Sequence, residues 1–306
     1  MAIATLIAGP TASGKSALAM KLAGAMGGLV VNADSMQVYE GLRILSARPS
    51  VAEETTVPHR LYGFVPASEE FSVGRYIDAL KPLVDTARAG GPPLVIVGGT
   101  GLYFRAMIEG LVLTPAIPDA VRAFWREQAR AGADLHAELT QRDPARAAQL
   151  NPADTPRLLR AIELHAATGR TYSDWLAASS GKELLRDGEF RGIFLDPDRG
   201  ALHEAIDRRF EAMIAAGALD EVRALLTSGI APARNLGIMK AHGVPHLVDH
   251  LEGRLPLDEA IARGQADTRR YARRQAIFAR KYLAGLNWRW FSGRDAADQA
   301  AAVLPA

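Results

Sequence analysis

Cysteine is absent from the 306 residues, which excludes disulfides, thiolate zinc sites and cysteine nucleophiles together and leaves oxygen or histidine to hold any metal. No run approaches the roughly 18 uninterrupted apolar residues of a membrane helix. Neither a basic segment nor a cleavage site precedes the first apolar stretch. These absences predict a soluble cytoplasmic protein with no membrane attachment. Internal repeats and low-complexity tracts are missing too. A net charge of +2 identifies no partner, but the charge is unevenly placed: from Arg263 to Arg294 there are nine Arg or Lys against one acid, Asp267. The length exceeds the usual size of one hydrophobic core, so a large domain with a smaller inserted or appended one is expected.

What is present begins with Gly9-Pro10-Thr11-Ala12-Ser13-Gly14-Lys15-Ser16, a complete G-x-x-x-x-G-K-[ST] phosphate loop directly behind the apolar run Ile3 to Ala8. That run reads as a buried strand, and Ala17 to Ala23 has helical spacing. In such a setting the loop N–H groups face a phosphate, Lys15 pairs with the terminal phosphate oxygens, and Ser16 holds a Mg²⁺. The helix N-terminus adds a favourable dipole. The loop predicts a diphosphate or triphosphate ligand and leaves the reaction open.

Ile3 to Ala8, Leu29 to Ala33 and Leu94 to Val97 read as strands separated by stretches long enough for crossover helices. Gly192 to Leu195 restores a strand, and Trp288 to Phe291 is strand-like. The pattern predicts an α/β fold, a P-loop NTPase-like parallel sheet flanked by helices. From Pro118 to about Asp187 the strand signal gives way to helices rich in Ala and Arg, a mostly helical insertion domain. The expected organisation is therefore a core of residues 1–117 and 188–306, with basic C-terminal helices, and an insertion of residues 118–187. Pro82, inside the helical run Gly74 to Ala89, is expected to kink or divide that helix.

Ligands of such sheets sit outside the carboxyl ends of the strands. Besides the phosphate loop, this selects Asp34-Ser35-Met36-Gln37 and Gly98-Gly99-Thr100-Gly101. Asp34 can act as a general base, reach a metal through water, or serve only as a cap or turn residue. The third strand lacks the carboxylate that a nucleotide hydrolase normally keeps there. Gly98 and Gly99 allow the backbone to approach a ligand closely, while the Thr100 hydroxyl can bind that ligand, cap a helix, or both. In the insertion, Asp154 is a candidate helix cap and Pro156 fits the first turn. Arg157 and Arg160 share a face suited to phosphates or, equally, to a solvated pairing with Glu163. Further on, Arg269 with Arg273 and Arg270 with Arg274 form two i,i+4 ridges, the footprint of a polyphosphate partner. Tyr271 and Phe278 are spaced to make a core-facing or base-stacking edge. Arg208-Arg209-Phe210 is less specific.

Over nearly the whole chain these motifs resemble the bacterial tRNA dimethylallyltransferases. The resemblance rests on the phosphate loop, on Asp34-Ser35-Met36-Gln37-Val38-Tyr39 running into Ala47-Arg48-Pro49, and on Val97-Gly98-Gly99-Thr100-Gly101-Leu102-Tyr103. Arg157-Leu158-Leu159-Arg160-Ala161-Ile162-Glu163 and Thr268 to Gln275 complete it. It implies dimethylallyl diphosphate in the loop formed by Gly9 to Ser16, with Mg²⁺ at Ser16. It further implies transfer of the five-carbon group to the exocyclic amine of the adenine 3′-adjacent to the tRNA anticodon. By the same resemblance Asp34 is the base, and Thr100 and Arg209 help to hold the diphosphate. The tRNA anticodon stem-loop would be contacted by Asp34, Ser35, Met36, Gln37, Thr100, Arg122, Pro156, Arg157, Leu158, Leu159 and Arg160. Arg269, Arg270, Arg273 and Arg274 would support the RNA backbone. A monomer without zinc is implied as well. The chain departs from the family pattern at Pro156, where many members have Gln, and at His59-Arg60 and His242-Gly243-Val244-Pro245-His246.

Two other classes compete. A kinase would use the same loop for ATP and Asp34 to activate a hydroxyl, but it has no need of the arginine-rich segments. An RNA-binding protein with a vestigial loop is opposed by the intact Lys15 and Ser16.

Overall fold

The computed structural model describes residues 2–112, 114–178, 183–230, 236–285 and 287–303. The chain divides into two compact units, Met1–Ile108 with Leu184–Ala306, and Glu109–Glu183.

The first unit is built on six parallel strands: β1 (Ala4–Ala8), β2 (Leu29–Asn32), β3 (His59–Arg60), β4 (Leu94–Gly98), β5 (Phe190–Asp196) and β6 (Trp288–Ser292). Their order across the sheet is β3-β2-β4-β1-β5-β6. Successive side chains of a strand point to opposite faces. Accordingly Leu6, Val31, Ile96 and Phe194 pack on one side with Tyr76, Leu80 and Val84 of the helix Val73–Arg88. Ile7, Val30, Val95, Val97 and Ile193 pack on the other with Leu18, Ala19 and Leu22 of the helix Lys15–Met26. Burial on both faces is why the strands read as continuous apolar runs rather than as alternation. The edge strand β3 has only two residues, too few to carry any periodicity.

Helix Val73–Arg88 is not divided at Pro82. Its apolar stripe of Tyr76, Leu80, Val84 and Ala87 holds it on the sheet, whereas Pro82 and Asp78, whose carbonyl loses its usual N–H partner, both face solvent.

A further apolar cluster joins Val38, Tyr39, Leu42 and Leu45 to Phe210 of the helix Arg199–Ala215, to Val244, Leu247 and Val248 of the helix Val244–Leu251, and to Ala260 of the long helix Leu257–Tyr282. It anchors the chain that follows β2 and places the long helix over the carboxyl ends of the strands.

The second unit has its own core, formed by Leu135, Leu139, Ala147, Leu158, Ala161 and Ile162 with Trp125 against them. Leu158 is only 1% exposed. Its side chain is therefore core, and Leu159 packs against the same core. Asp154 occupies the N-cap position of the helix Thr155–Thr168, but its side chain makes no cap hydrogen bond. It accepts from the Arg157 guanidinium instead.

Candidate functional site

The phosphate loop turns tightly because Gly14 (φ 83°) and Ala12 (φ 63°) adopt left-handed backbone. Gly9 has no room for a side chain, since a Cβ there would lie 2.8 Å from Ser13 Oγ and 3.0 Å from the Leu195 carbonyl. Lys15 Nζ donates to the Pro10 carbonyl at 3.1 Å, folding back over the loop. Burial lowers its ammonium to a pKa of about 8; the Asp34 carboxylate opposes that shift and the Arg209 guanidinium adds to it. Arg209 arrives from the helix Arg199–Ala215, where burial lowers its pKa and Asp34 opposes the effect. Burial thus works against both cations, and the Asp34 carboxylate offsets it for each.

Asp34 is aimed by Asn32, the last residue of β2, which is completely buried. Its side-chain Oδ1 accepts from Asp34 N–H at 2.8 Å, and its Nδ2 donates to the backbone carbonyls of Asp34 (2.9 Å) and Leu61 (3.0 Å). Asp34 Oδ1 in turn accepts from Met36 N–H at 2.9 Å. Asp34 thus serves as a turn residue and also borders a cavity. The Thr100 hydroxyl accepts from Ser35 N–H at 2.9 Å and donates to Ser35 Oγ at 3.3 Å, binding the loop after β4 to the loop after β2. Gln37 donates to the carbonyls of Ser46 and Ala47, both at 2.9 Å. The glycines of this region make room for the protein's own chain. A Cβ on Gly98 would meet the Ala33 backbone at 2.1 Å, and one on Gly101 would meet the Phe278 ring at 2.3 Å.

These pieces surround a cavity of about 70 Å³. Thr11 and Ala12 of the loop, Asp34 and Arg209 form its polar end; Leu45, Ile206, Phe210, Met213 and Ala241 form an apolar wall, with His242 and Tyr271 beside it. The His242 ring lies 4.4 Å from that of Tyr271. Burial lowers its imidazole pKa, Arg274 adds to the shift, and Asp34 and Asp267 oppose it. A guanidinium, a carboxylate and a small apolar chamber thus meet in one place. Ser16 is exposed at the start of the helix Lys15–Met26. Among the described residues no cluster of three or more His, Cys, Asp or Glu is positioned to hold a metal ion. One exposed hydroxyl fits Mg²⁺, which ordinarily takes most of its oxygens from substrate phosphates and water.

The arginine ridges of the long helix separate. Arg274 lies over the Tyr271 ring, 5.7 Å from its centroid. Arg269, Arg270 and Arg273, with Arg199 and Arg280, line a wider cavity of about 650 Å³ that Pro10 also borders. Within it Arg269 pairs with Asp207, Arg270 with Asp267 and Arg280 with Asp196. In the second unit Arg157 and Pro156 are exposed, Arg160 donates to the Thr114 hydroxyl at 2.6 Å, and Arg122 lies 3.9 Å from Asp119. Glu163 is buried; burial raises its carboxyl pKa, against Arg126, Arg122 and Arg160.

Sequence reasoning missed Asn32, His242 and Gln275. A polar residue closing an apolar strand was the available signal for Asn32, because a buried amide must find partners. His242 carried no such mark.

Residues 37–282 match the profile of a family described as IPP transferase. A tRNA dimethylallyltransferase of Methylocella silvestris is 53% identical over 287 residues, 93% of this chain and 94% of that protein. One from Methylobacterium nodulans is 53% identical over 304 residues, 97% of each chain. Among solved structures, the full-length tRNA isopentenylpyrophosphate transferase of Bacillus halodurans superposes with a TM-score of 0.69 at 31% identity, covering 99% of this chain and 94% of that one. A eukaryotic dimethylallyltransferase captured acting on tRNA gives 0.81 at 25% identity, covering 98% and 75%.

Proposed function

The chain belongs to the IPP transferase family, and from that premise we propose that it transfers the dimethylallyl group of dimethylallyl diphosphate to the exocyclic N6 amine of the adenine 3′-adjacent to a tRNA anticodon. The observation that carries this reading is one cavity whose polar end is formed by Thr11, Ala12, Asp34 and Arg209 and whose remaining wall is apolar. A diphosphate ester with a short branched alkyl tail matches both ends of it.

The amine attacks the allylic carbon as the bond from that carbon to the diphosphate oxygen breaks, and the N6 proton passes to Asp34. An adenine amine is a weak nucleophile, because its lone pair is delocalised into the ring. A positioned base and a stabilised leaving group are therefore both needed. Lys15, Arg209 and loop N–H groups between Gly9 and Ser16 other than that of Thr11, which Gln275 holds, receive the charge of the departing diphosphate. Mg²⁺ held through Ser16 would supply further neutralisation of that charge. Thr100 steadies the Asp34 loop through Ser35. The target base must leave its stack to reach Asp34.

Arg122, Pro156, Arg157 and Arg160 of the second unit, with Ser35, Met36 and Gln37, form the tRNA contacts in this reading, and the exposed arginines of the long helix support the RNA backbone. The enzyme works in the cytoplasm as a monomer; no helix of the described residues is long and apolar enough to cross a membrane. The test incubates purified protein with Mg²⁺, unmodified tRNA and radiolabelled dimethylallyl diphosphate, followed by nucleoside analysis. Label on the adenine beside the anticodon is the expected result. No label, together with phosphate transfer from ATP, would establish a kinase instead.

A further inference from the structure

Gln275 sits where the phosphate loop, the Gly98 to Gly101 turn and Asp34 converge. It projects from the long helix and is 7% exposed. Its Oε1 accepts from the Thr11 N–H at 3.0 Å, and its Nε2 donates to the Gly99 carbonyl at 2.9 Å. An N–H requires an acceptor and a carbonyl requires a donor, so these partners fix which way the amide faces. A Cβ built on Gly99 would lie 2.0 Å from Gln275 Nε2 and 3.4 Å from Asp34 Oδ2, which puts amide and carboxylate against the same glycine. One turn earlier on the same helix face, burial raises the Tyr271 hydroxyl pKa, and the Thr100 and Gln275 side chains oppose that shift. One turn later, Phe278 fills the space above Gly101.

We infer that Gln275 is a positioning residue for the transfer reaction: its amide clamps the phosphate loop to the turn that carries Thr100, and so fixes the distance between the bound diphosphate and the Asp34 base. The inference rests on the function proposed above. Holding donor and acceptor in near-attack geometry lowers the barrier, and small misplacements of the reacting groups cost rate. No other side chain replaces the amide. Glutamate keeps the bond to Thr11 but presents an acceptor to the Gly99 carbonyl; methionine fills the space and makes neither bond; asparagine is one methylene short.

The experiment compares wild type with Gln275→Met and Gln275→Glu. Without substrates, hydrogen exchange at the Thr11 amide should be slow in wild type, slow in Gln275→Glu and fast in Gln275→Met. With substrates, both variants should lose about 10- to 100-fold in the single-turnover rate, while the Kd for tRNA and for dimethylallyl diphosphate stay within about threefold of wild type. Gln275→Glu should also move the acidic limb of the pH–rate profile upward, because its carboxylate adds a negative charge beside Asp34. Lys15, Arg209, His242, Tyr62, Tyr103 and Tyr271, the groups electrostatically coupled to Asp34, are unchanged in sequence in all three proteins and cancel in the comparison. Gln275→Met leaves the limb in place. A wild-type rate and unchanged Thr11 exchange in Gln275→Met overturn the inference, as does a loss expressed only in tRNA affinity. Should Gln275→Met fail to fold, Gln275→Glu decides by the same split: a lowered single-turnover rate at unchanged Kd supports the clamp, and a wild-type rate overturns it. If wild type transfers nothing, the proposed function falls while the exchange arm still measures the clamp.

Discussion

Asp34 owes its position to residues that do no chemistry. Asn32 fixes the backbone on either side of it, Met36 N–H holds one carboxylate oxygen, and the Thr100–Ser35 contact steadies the loop. Asp34→Asn preserves every one of those contacts and removes only the capacity to take a proton. We expect transfer to slow by about 10²- to 10⁴-fold with tRNA affinity unchanged, measured by single-turnover labelling and filter binding. A near wild-type rate would remove Asp34 from the role of base. Arg157 is a different case, since its guanidinium is exposed and already shared with Asp154. If it reaches a phosphate, Arg157→Ala weakens tRNA binding on every sequence and reduces the slope of log Kd against log salt by about 1. An unaltered slope would mean that the Asp154 pair is all Arg157 does.

At the scale of elements, the helix Val73–Arg88 is tied to the start of β5 by a forked contact. Arg88 Nε and Nη2 reach the two Glu189 carboxylate oxygens, both at 2.8 Å, and Arg186 N–H adds a third bond at 2.9 Å. The Arg88 hydrogen bonds, against some desolvation, hold the Glu189 carboxyl at a pKa of about 2, below its ordinary 4.5. A carboxyl depressed in the folded state stabilises above its unfolded pKa, and that stability is lost as pH falls through 4.5 toward 2. Glu189→Gln should therefore cost about 1 kcal/mol at neutral pH, allowing for solvent screening. In urea titrations the gap from wild type should narrow steadily below pH 4.5; a gap independent of pH would assign the loss to packing. Elements of this kind differ in how legible they are. The long strands could be read because burial on two faces writes an apolar run into the sequence. The two-residue β3 leaves no such record, and the continuity of the helix through Pro82 depends on which side of it faces solvent. Gln275 was legible only as one residue of a basic helix, since its partners are 264 and 176 positions away. The loop and Asp34 stood out because local sequence alone builds them.

For the whole molecule, the decisive feature is how the chain leaves and re-enters its larger unit. The Met107 carbonyl accepts from both Leu184 and Leu185 N–H at 2.9 Å, so the residues flanking the Glu109–Glu183 unit are already joined by backbone hydrogen bonds. Every strand of the sheet, the phosphate loop, Asp34 and Arg209 belong to the larger unit, and the smaller one has a core of its own. Closing a gap whose ends already touch costs little chain entropy. Replacing residues 109–183 with a short Gly/Ser linker should therefore leave a protein that unfolds cooperatively and binds dimethylallyl diphosphate within about threefold of the intact chain. The same protein should lose tRNA affinity by more than about tenfold, because Arg122, Arg157 and Arg160 leave with the deleted unit. Calorimetry, equilibrium binding of labelled diphosphate and tRNA filter binding report the three properties separately. Retained tRNA affinity would shift RNA recognition to the arginines of the long helix. Lost diphosphate binding in a folded protein would mean that the phosphate loop depends on the unit removed.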